Sequence, residues 1–264
     1  MSSILSDRVQ KVKPSATMAV SDKAKELKSQ GIQIVSMGSG EPDFDTPANI
    51  QKAAVKAIGA GETRYTPADG TPELKKAICE KFKRENGLDY SATEVMVSCG
   101  GKQVFYNLCQ AILNEGDEVI IPTPYWVSYP DMAILADATP VFIEAGLDQD
   151  FKITPAQLEA SITPKSKLFV LNSPSNPTGS VYSRSEIIAL GEVLERHPHV
   201  LTISDDIYEH IRWGEDDFVN IAMACPNLKE RVVILNGVSK AYAMTGWRIG
   251  HAAGPEAVIK AMKK

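Results

Sequence analysis

Lys240 stands in Asn236-Gly237-Val238-Ser239-Lys240-Ala241-Tyr242-Ala243-Met244-Thr245-Gly246-Trp247-Arg248-Ile249-Gly250, directly after an apolar run. A lone lysine is almost always a solvated surface residue. This one sits among small and apolar neighbours, where burial lowers an amine pKa and frees the lone pair for imine chemistry. Arg248 adds a fixed cation suited to a phosphate. Upstream, Asp205-Asp206-Ile207-Tyr208 follows another apolar run. A carboxylate at the carboxyl end of a strand, deep in a crevice, is costly unless it meets a cation or several donors. A protonated pyridine nitrogen would be such a cation. N-capping of a following helix is the competing role for either aspartate, and for one of the two it is the expected one.

Three more loops carry unusual residues. Gly100-Gly101-Lys102-Gln103 leads into a helical stretch, where small residues and a helix N-terminus suit an anion, although Gly-Gly before a helix is more often just a tight turn. Pro122-Thr123-Pro124-Tyr125-Trp126 sets two aromatics beside the same sheet edge. Either ring is suited to stack on a flat heteroaromatic ligand, with core packing an equal alternative for each taken singly. Asn172-Ser173-Pro174-Ser175-Asn176-Pro177-Thr178-Gly179 has prolines and a glycine that fix a rigid path and aim an Asn side chain.

The elements that must position these loops read as alternating strands and helices. Strand-length apolar runs at 94–98, 118–121, 140–144, 167–172, 200–204, 232–235 and 247–253 alternate with helical periodicity at 101–114, 125–136, 154–161, 183–197 and 207–212. That is the pattern of βαβ units around one largely parallel, seven-stranded sheet. Thr154-Pro155 and the capping box Ser183-x-x-Glu186 mark helix starts, Thr46-Pro47 opens a stretch to 58, and Thr71-Pro72 opens another to 84. A helix over 20–30 precedes them, and 255–264 reads as the beginning of a last one. In open α/β sheets ligands bind at the carboxyl ends of the strands, where all five loops lie.

Composition sets the limits. The chain has 264 residues, 44% hydrophobic and 23% charged, with net charge -5. It is ordinary for a globular protein and lacks the basic footprint of a nucleic-acid binder. The cysteines Cys79, Cys99, Cys109 and Cys225 have no metal-type spacing, so reduced, mostly buried thiols are expected. With no signal-peptide pattern and no apolar run near the ~18 residues of a membrane span, the reading is a cytoplasmic protein without membrane or nucleic-acid partners.

Taken in this order, the five loops resemble the fold-type I pyridoxal-phosphate (PLP) enzymes of the class I aminotransferase family, most closely the bacterial-type aspartate aminotransferase subgroup, from about Val12 to Lys264. Ser239-Lys240 followed by Gly246-Trp247-Arg248-Ile249-Gly250 is the most specific motif, with Asn176-Pro177-Thr178-Gly179 and Asp205-x-x-Tyr208 in register upstream. The resemblance implies a three-layer α/β/α large domain over 46–264, with 1–45 as an N-terminal arm and the beginning of an incomplete small domain. It implies that Lys240 forms the Schiff base and shuttles the proton, that Asp205 partners the pyridinium nitrogen, and that Tyr208 and Asn176 hydrogen-bond the cofactor's 3-oxygen. Trp126 would stack on the ring. Gly100, Gly101, Lys102, Ser239 and Arg248 would surround the phosphate, with Tyr65 reaching it from the second subunit of a homodimer.

For substrate, the resemblance implies Gly40 near the α-carboxylate and Ser15, Thr17 and Lys102 where a distal carboxylate is read, with Trp126 and Asn176 alongside. Transamination of L-aspartate with 2-oxoglutarate through a pyridoxamine-phosphate intermediate is the leading expectation. Prephenate as amino acceptor is the alternative, and a lyase on the same fold a more distant one. Family members continue for roughly another hundred residues or more, which supply the arginine for the α-carboxylate. A truncated chain that binds PLP without independent catalysis is therefore a further reading. Thr123-Pro124 and Asn176-Pro177 resemble sites of cis peptides.

Overall fold

The strands alternate between two apolar faces, and this dictates the layers. In Ser166–Asn172, Leu168 and Val170 face one core while Phe169 and Leu171 face the other; in Val232–Gly237, Val233 and Leu235 part from Val232 and Ile234 in the same way. Side chains on a strand point alternately to opposite faces, so a strand apolar at every position must be covered on both. The computed structural model describes residues 4–35, 37, 38, 40–214 and 217–264.

The strands are β1 (Val95–Ser98), β2 (Glu118–Thr123), β3 (Thr139–Glu144), β4 (Ser166–Asn172), β5 (Leu201–Asp205), β6 (Val232–Gly237) and β7 (Gly250–Ala253), in one sheet of order β1-β7-β6-β5-β4-β2-β3. Only the pairings of β7, with β1 and with β6, are antiparallel. The expected mostly parallel seven-stranded sheet is therefore present, and the carboxyl ends of β1, β2, β4, β5 and β6 share one edge. Among the described residues the helices are α1 (Asp7–Lys11), α2 (Ala16–Ser29), α3 (Ala48–Gly59), α4 (Pro72–Lys81), α5 (Gly101–Ile112), α6 (Ser128–Leu135), α7 (Pro155–Ser161), α8 (Arg184–Arg196), α9 (Ile221–Ala224) and α10 (Glu256–Met262). Residues of α4, α7, α8 and α9 cover one face, and those of α5, α6 and α10 the other. This is the three-layer α/β/α architecture.

Local signals fix the boundaries. Thr154 and Ser183 each form a full capping box, with Gln157 and Glu186 respectively. The carboxyl end of α8 is held by the Arg231 guanidinium, which donates to the carbonyls of Leu194, His197 and Val200, as a cation near a helix carboxyl terminus should. The stretch expected to end at 84 widens into a π-helical turn over Phe82–Asn86 and stops at Gly87, which has φ +66°.

Two expected elements differ. Residues 207–212 are successive turns, closed by the amides of Glu209 and Ile211 on the carbonyls of Asp206 and Tyr208. Asp205 Oδ1 takes the Ile207 amide at 3.3 Å at the start of these turns. No helix follows there, so neither aspartate caps one. The last strand starts at Gly250 rather than 247, because Thr245–Trp247 is a 3-10 turn and Arg248 has a left-handed φ of +57°. No described residue before 46 is buried, and neither is any residue of α3. Cys109 and Cys225 are buried as expected, whereas Cys99 is exposed; all four thiols are free. Among the described residues no helix is long and apolar enough to cross a membrane.

His251, on β7, is 7% exposed, packs edge-on against Phe82 at 5.7 Å, and finds no hydrogen-bond partner for Nε2 among the described residues. Burial, with a smaller contribution from the Lys81 charge, pushes its imidazole from 6.5 down to about 3. The unfolded chain therefore binds the proton first as pH falls. The stabilisation is complete above pH 6.5 and drains away toward about 3. Urea denaturation across this window should show the wild type losing stability more steeply than His251→Gln, by at most about 1.4 kcal/mol per pH unit. Parallel curves would contradict the assignment.

Candidate active site

Each of the five sheet-edge loops inherits its direction from the strand before it. Asp205 is the last residue of β5, in register with Asn172 on β4 and Leu235 on β6. It shares the face of Ile203, so its side chain points toward α5 and α6. The residue is 4% exposed. Oδ2 accepts from the Tyr129 hydroxyl at 2.5 Å and Oδ1 from the Ile207 amide at 3.3 Å. Burial pushes the acid up to about 6 against the pull of these two donors. Asp206 points to the other face, where Ser204 Oγ and Asn220 Nδ2 donate to it at 2.6 and 2.7 Å. It is a structural acid, and burial raises it well above the ordinary range.

Lys240 enters from the loop after β6. Its ammonium donates to the Gly40 carbonyl, and its pKa is lowered, chiefly by burial, with Glu41 opposing and Arg248 adding to the effect. The expected partly desolvated amine is thus present. Its loop is held in a demanding path: Ala243 and Arg248 both have positive φ, at +49° and +57°, in a region costly for residues with a Cβ. Long-range bonds tie the loop to the segment after Gly40. Thr46 Oγ1 donates to the Ala243 carbonyl at 2.6 Å and accepts from Trp247 Nε1 at 3.0 Å, and Thr245 donates to Glu41. Thr46 therefore works as a tie rather than as the cap of α3, whose start carries no side-chain cap.

Arg248 lies across the beginning of α5. Its guanidinium donates to the Thr245 carbonyl at 2.9 Å and the Cys99 carbonyl at 3.4 Å. A Cβ on Gly100, whose φ is +80°, would lie 2.2 Å from Arg248 Nη2. The first-turn amides of α5 have no intrahelical acceptor, so positive charge and N-H groups converge here. Tyr208 carries a Lys240 ammonium 5.9 Å from its ring centroid and a hydroxyl beside the Asn176 amide; burial raises the hydroxyl's pKa and Asn176 opposes the rise. The Asn176 loop is aimed by Asn172, whose Oδ1 accepts the Asn176 amide at 2.8 Å while Nδ2 donates to the Asp205 carbonyl at 2.9 Å. The Thr123-Pro124 and Asn176-Pro177 bonds are both cis, as is Ser173-Pro174.

These groups line one cavity of about 530 Å³. Asp205, Tyr208, Ser239, Lys240 and Arg248 reach it from the β5 and β6 side, Asn176, Trp126, Gly101 and Lys102 from the opposite loops, and Thr17 and Gly40 from the amino-terminal segment. The Lys102 ammonium rests 5.2 Å from the Trp126 ring centroid. Tyr125 also lines the cavity but stacks on Phe142 at 5.1 Å, so its ring is committed to packing. Three expected residues lie outside the lining. Gly100 sits behind Gly101, beneath the Arg248 guanidinium; the Ser15 hydroxyl caps α2 by accepting the Met18 amide at 3.4 Å, and Tyr65 is fully exposed. Tyr129, Asn172, Glu41, Thr46 and Thr245 are contributors that the sequence reading did not single out.

A desolvated lysine, a buried acid and a cation-rimmed helix start at one edge of a doubly covered sheet are an arrangement for covalent carbonyl chemistry with a phosphorylated ligand. The chain belongs to the family Aminotransferase class I and II, whose profile matches residues 32–264. It is 59% identical to the aspartate/prephenate aminotransferase of Cereibacter sphaeroides and 58% identical to that of Nitrosomonas europaea, each match covering 98% of this chain and 64% and 65% of the relative. It superposes with TM-score 0.95 and 50% identity on the aspartate aminotransferase of Rhizobium meliloti, and with 0.94 and 47% on that of Thermus thermophilus with maleate. These superpositions cover 98% of this chain and 65% and 66% of the solved ones. The chain thus spans a little under two thirds of its relatives' length.

The closest backbone approach in the site is at Gly250, where a Cβ would sit 2.4 Å from the Gly100 carbonyl carbon and 2.5 Å from the Gly101 nitrogen. Gly250→Ala should cost about 1–3 kcal/mol or more through overpacking, read from urea denaturation midpoints. Gly246→Ala, with nothing within 4 Å, should stay close to wild type. Equal stability of the two variants would show that the approach is not tight.

Proposed function

We propose that this chain carries the pyridoxal 5'-phosphate site of an aminotransferase for acidic amino acids, with Lys240 as the attached amine. One observation carries the reading: the Asp205 carboxyl, at the end of β5, and Lys240 Nζ, from the loop after the adjacent β6, face the same cavity. The cavity volume suits a small cofactor with its substrate. A buried acid near pKa 6 with two hydrogen-bond donors fits a protonated ring nitrogen, and the Gly100 turn beneath Arg248, which a Cβ would obstruct, fits a phosphate.

When bound, pyridoxal phosphate supplies an electron sink for the charge left when a bond at the substrate Cα breaks. Asp205 would hold the proton on the ring nitrogen. Tyr208 and Asn176 would hold the 3-oxygen, Trp126 would cover the ring, and Ser239, Gly100, Gly101, Lys102 and Arg248 would bind the phosphate. Lys240 Nζ, whose pKa burial has lowered, removes and returns the proton at the substrate Cα. Tyr65, exposed in a single chain, would complete the phosphate site of a second copy in a homodimer. Residues 1–45 would form an arm and the beginning of a small domain, and 46–264 the cofactor domain.

For substrate, we favour L-aspartate with 2-oxoglutarate, giving oxaloacetate and L-glutamate. Lys102 and Thr17 line the cavity, and a related solved structure was determined with maleate, itself a dicarboxylate. Ser15, whose hydroxyl caps α2, would contribute by setting the direction of Thr17. Prephenate as amino acceptor is the second reading, supported by the relatives named aspartate/prephenate aminotransferase.

Adding pyridoxal phosphate should produce an absorbance band that borohydride removes, leaving a stable adduct in the wild type and none in Lys240→Ala. An adduct that survives in the variant would assign the attachment to another lysine. Rates with L-glutamate as donor and oxaloacetate or prephenate as acceptor separate the two substrate readings. Cofactor capture with turnover of neither would reduce the 264-residue chain to a cofactor-binding unit.

A further inference from the structure

Tyr129, on α6, is 1% exposed, and its hydroxyl makes one hydrogen bond among the described residues, to Asp205 Oδ2 at 2.5 Å. A buried tyrosine needs a partner for its hydroxyl, and here the partner is the acid at the centre of the cavity wall. The ring is fixed on two sides, tilted against Phe105 at 4.8 Å and edge-on to Trp126 at 5.2 Å and 89°. The hydroxyl is therefore aimed by packing, with α6 and not the Asp205 loop setting its position. Because Oδ1 is engaged by the Ile207 amide, the two donors together leave the carboxyl one orientation. The same tyrosine buttresses Trp126, so one side chain supports both the acid and the aromatic wall.

We propose that Tyr129 is the positioning residue that sets the proton affinity of Asp205, and through it the protonation of a ring nitrogen seated on that carboxyl. The proposal rests on the pyridoxal-phosphate reading above and extends it to a residue outside the five sheet-edge loops. A phenol donating to a carboxylate stabilises its charged form. Burial raises the Asp205 pKa, and the Tyr129 bond is the foremost opposing influence. Losing this bond makes the carboxyl a stronger base, so the proton shared with a ring nitrogen moves toward oxygen. The other titratable groups lining the cavity are Tyr125, Tyr208, Lys240, Lys102, Glu41 and Arg248, and Asp206 lies across the sheet; none of them hydrogen-bonds to the Asp205 carboxyl among the described residues.

The test compares wild type, Tyr129→Phe and Tyr182→Phe, the last a buried tyrosine whose hydroxyl accepts the Ile153 amide away from the cavity. Carbon-13 NMR of labelled aspartate in the cofactor-free chain reads the Asp205 midpoint, with Asp205→Asn for assignment. Nitrogen-15 NMR of labelled pyridoxal phosphate, fixed by borohydride, reads the ring nitrogen. Tyr129→Phe should raise the carboxyl midpoint by at least about half a pH unit and move the ring-nitrogen resonance toward the unprotonated position; Tyr182→Phe should do neither. Thermal melts identify a variant that has lost its fold, and in that case Tyr129→Leu with Tyr129→Trp, read by the same midpoint, takes its place. Unchanged midpoint and resonance in Tyr129→Phe would overturn the proposal alone. Failure of the wild type to capture the ring would overturn the site reading, and this proposal with it.

Discussion

Placing a carboxyl group at the end of a central strand, between neighbouring strands and under a helix layer, is the constraint on which the site depends. Asp205 pays for that position in free energy, since burial raises its pKa to about 6 while two donors hold the ionised form against it. A cation arriving from the cavity reverses the balance. Among the described residues no cation of the cavity lining hydrogen-bonds to this carboxyl: Lys240 is bound to the Gly40 carbonyl, Arg248 to the carbonyls of Cys99 and Thr245, and Lys102 lies over the Trp126 ring. A cationic ligand at this carboxyl would offset its burial, and the proposed protonated heteroaromatic nitrogen has the right sign.

The remaining parts follow from the same sheet edge. The parallel order brings the ends of β4, β5 and β6 side by side, and Asn172 couples the first two by bonding both the Asn176 amide and the Asp205 carbonyl. Antiparallel β7 brings Gly250 against Gly100 and Gly101, which sets Arg248 over the start of α5. Glycine at 100 and 250 is thus a geometric need of the close approach between β7, Arg248 and the start of α5. The left-handed residues Ala243 and Arg248 add local cost in the Lys240 loop, offset by ties to Glu41 and Thr46.

What was legible in the sequence was what local chemistry marks. Gly-Gly before a helix, Asn-Pro-Thr-Gly after a strand and a lysine among small residues all sit at strand ends, and the alternation of apolar runs gave the sheet. What was not legible depends on contacts distant along the chain. Tyr129 looks like one more core aromatic until Asp205, 76 residues away, is seen to meet it. Thr46 looks like a helix cap, but its partner is Ala243, 197 residues on. The helix expected at 207–212 is replaced by successive turns, closed by the amides of Glu209 and Ile211 on the carbonyls of Asp206 and Tyr208. Ser15 and Tyr65 were carried over by resemblance, and the structure of one chain gives the first a capping role and leaves the second in solvent.

The central claim is that the Asp205 carboxyl and the Lys240 amine grip opposite ends of one heteroaromatic ligand. A crystal structure of the chain grown with pyridoxal 5'-phosphate tests this directly. The account predicts continuous density from Lys240 Nζ to the cofactor, the ring nitrogen within hydrogen-bonding distance of the Asp205 carboxyl, and the phosphate at the Gly100 turn against Arg248. A ring nitrogen turned away from Asp205, or a Lys240 amine still free on the Gly40 carbonyl with the cofactor bound elsewhere, would contradict it.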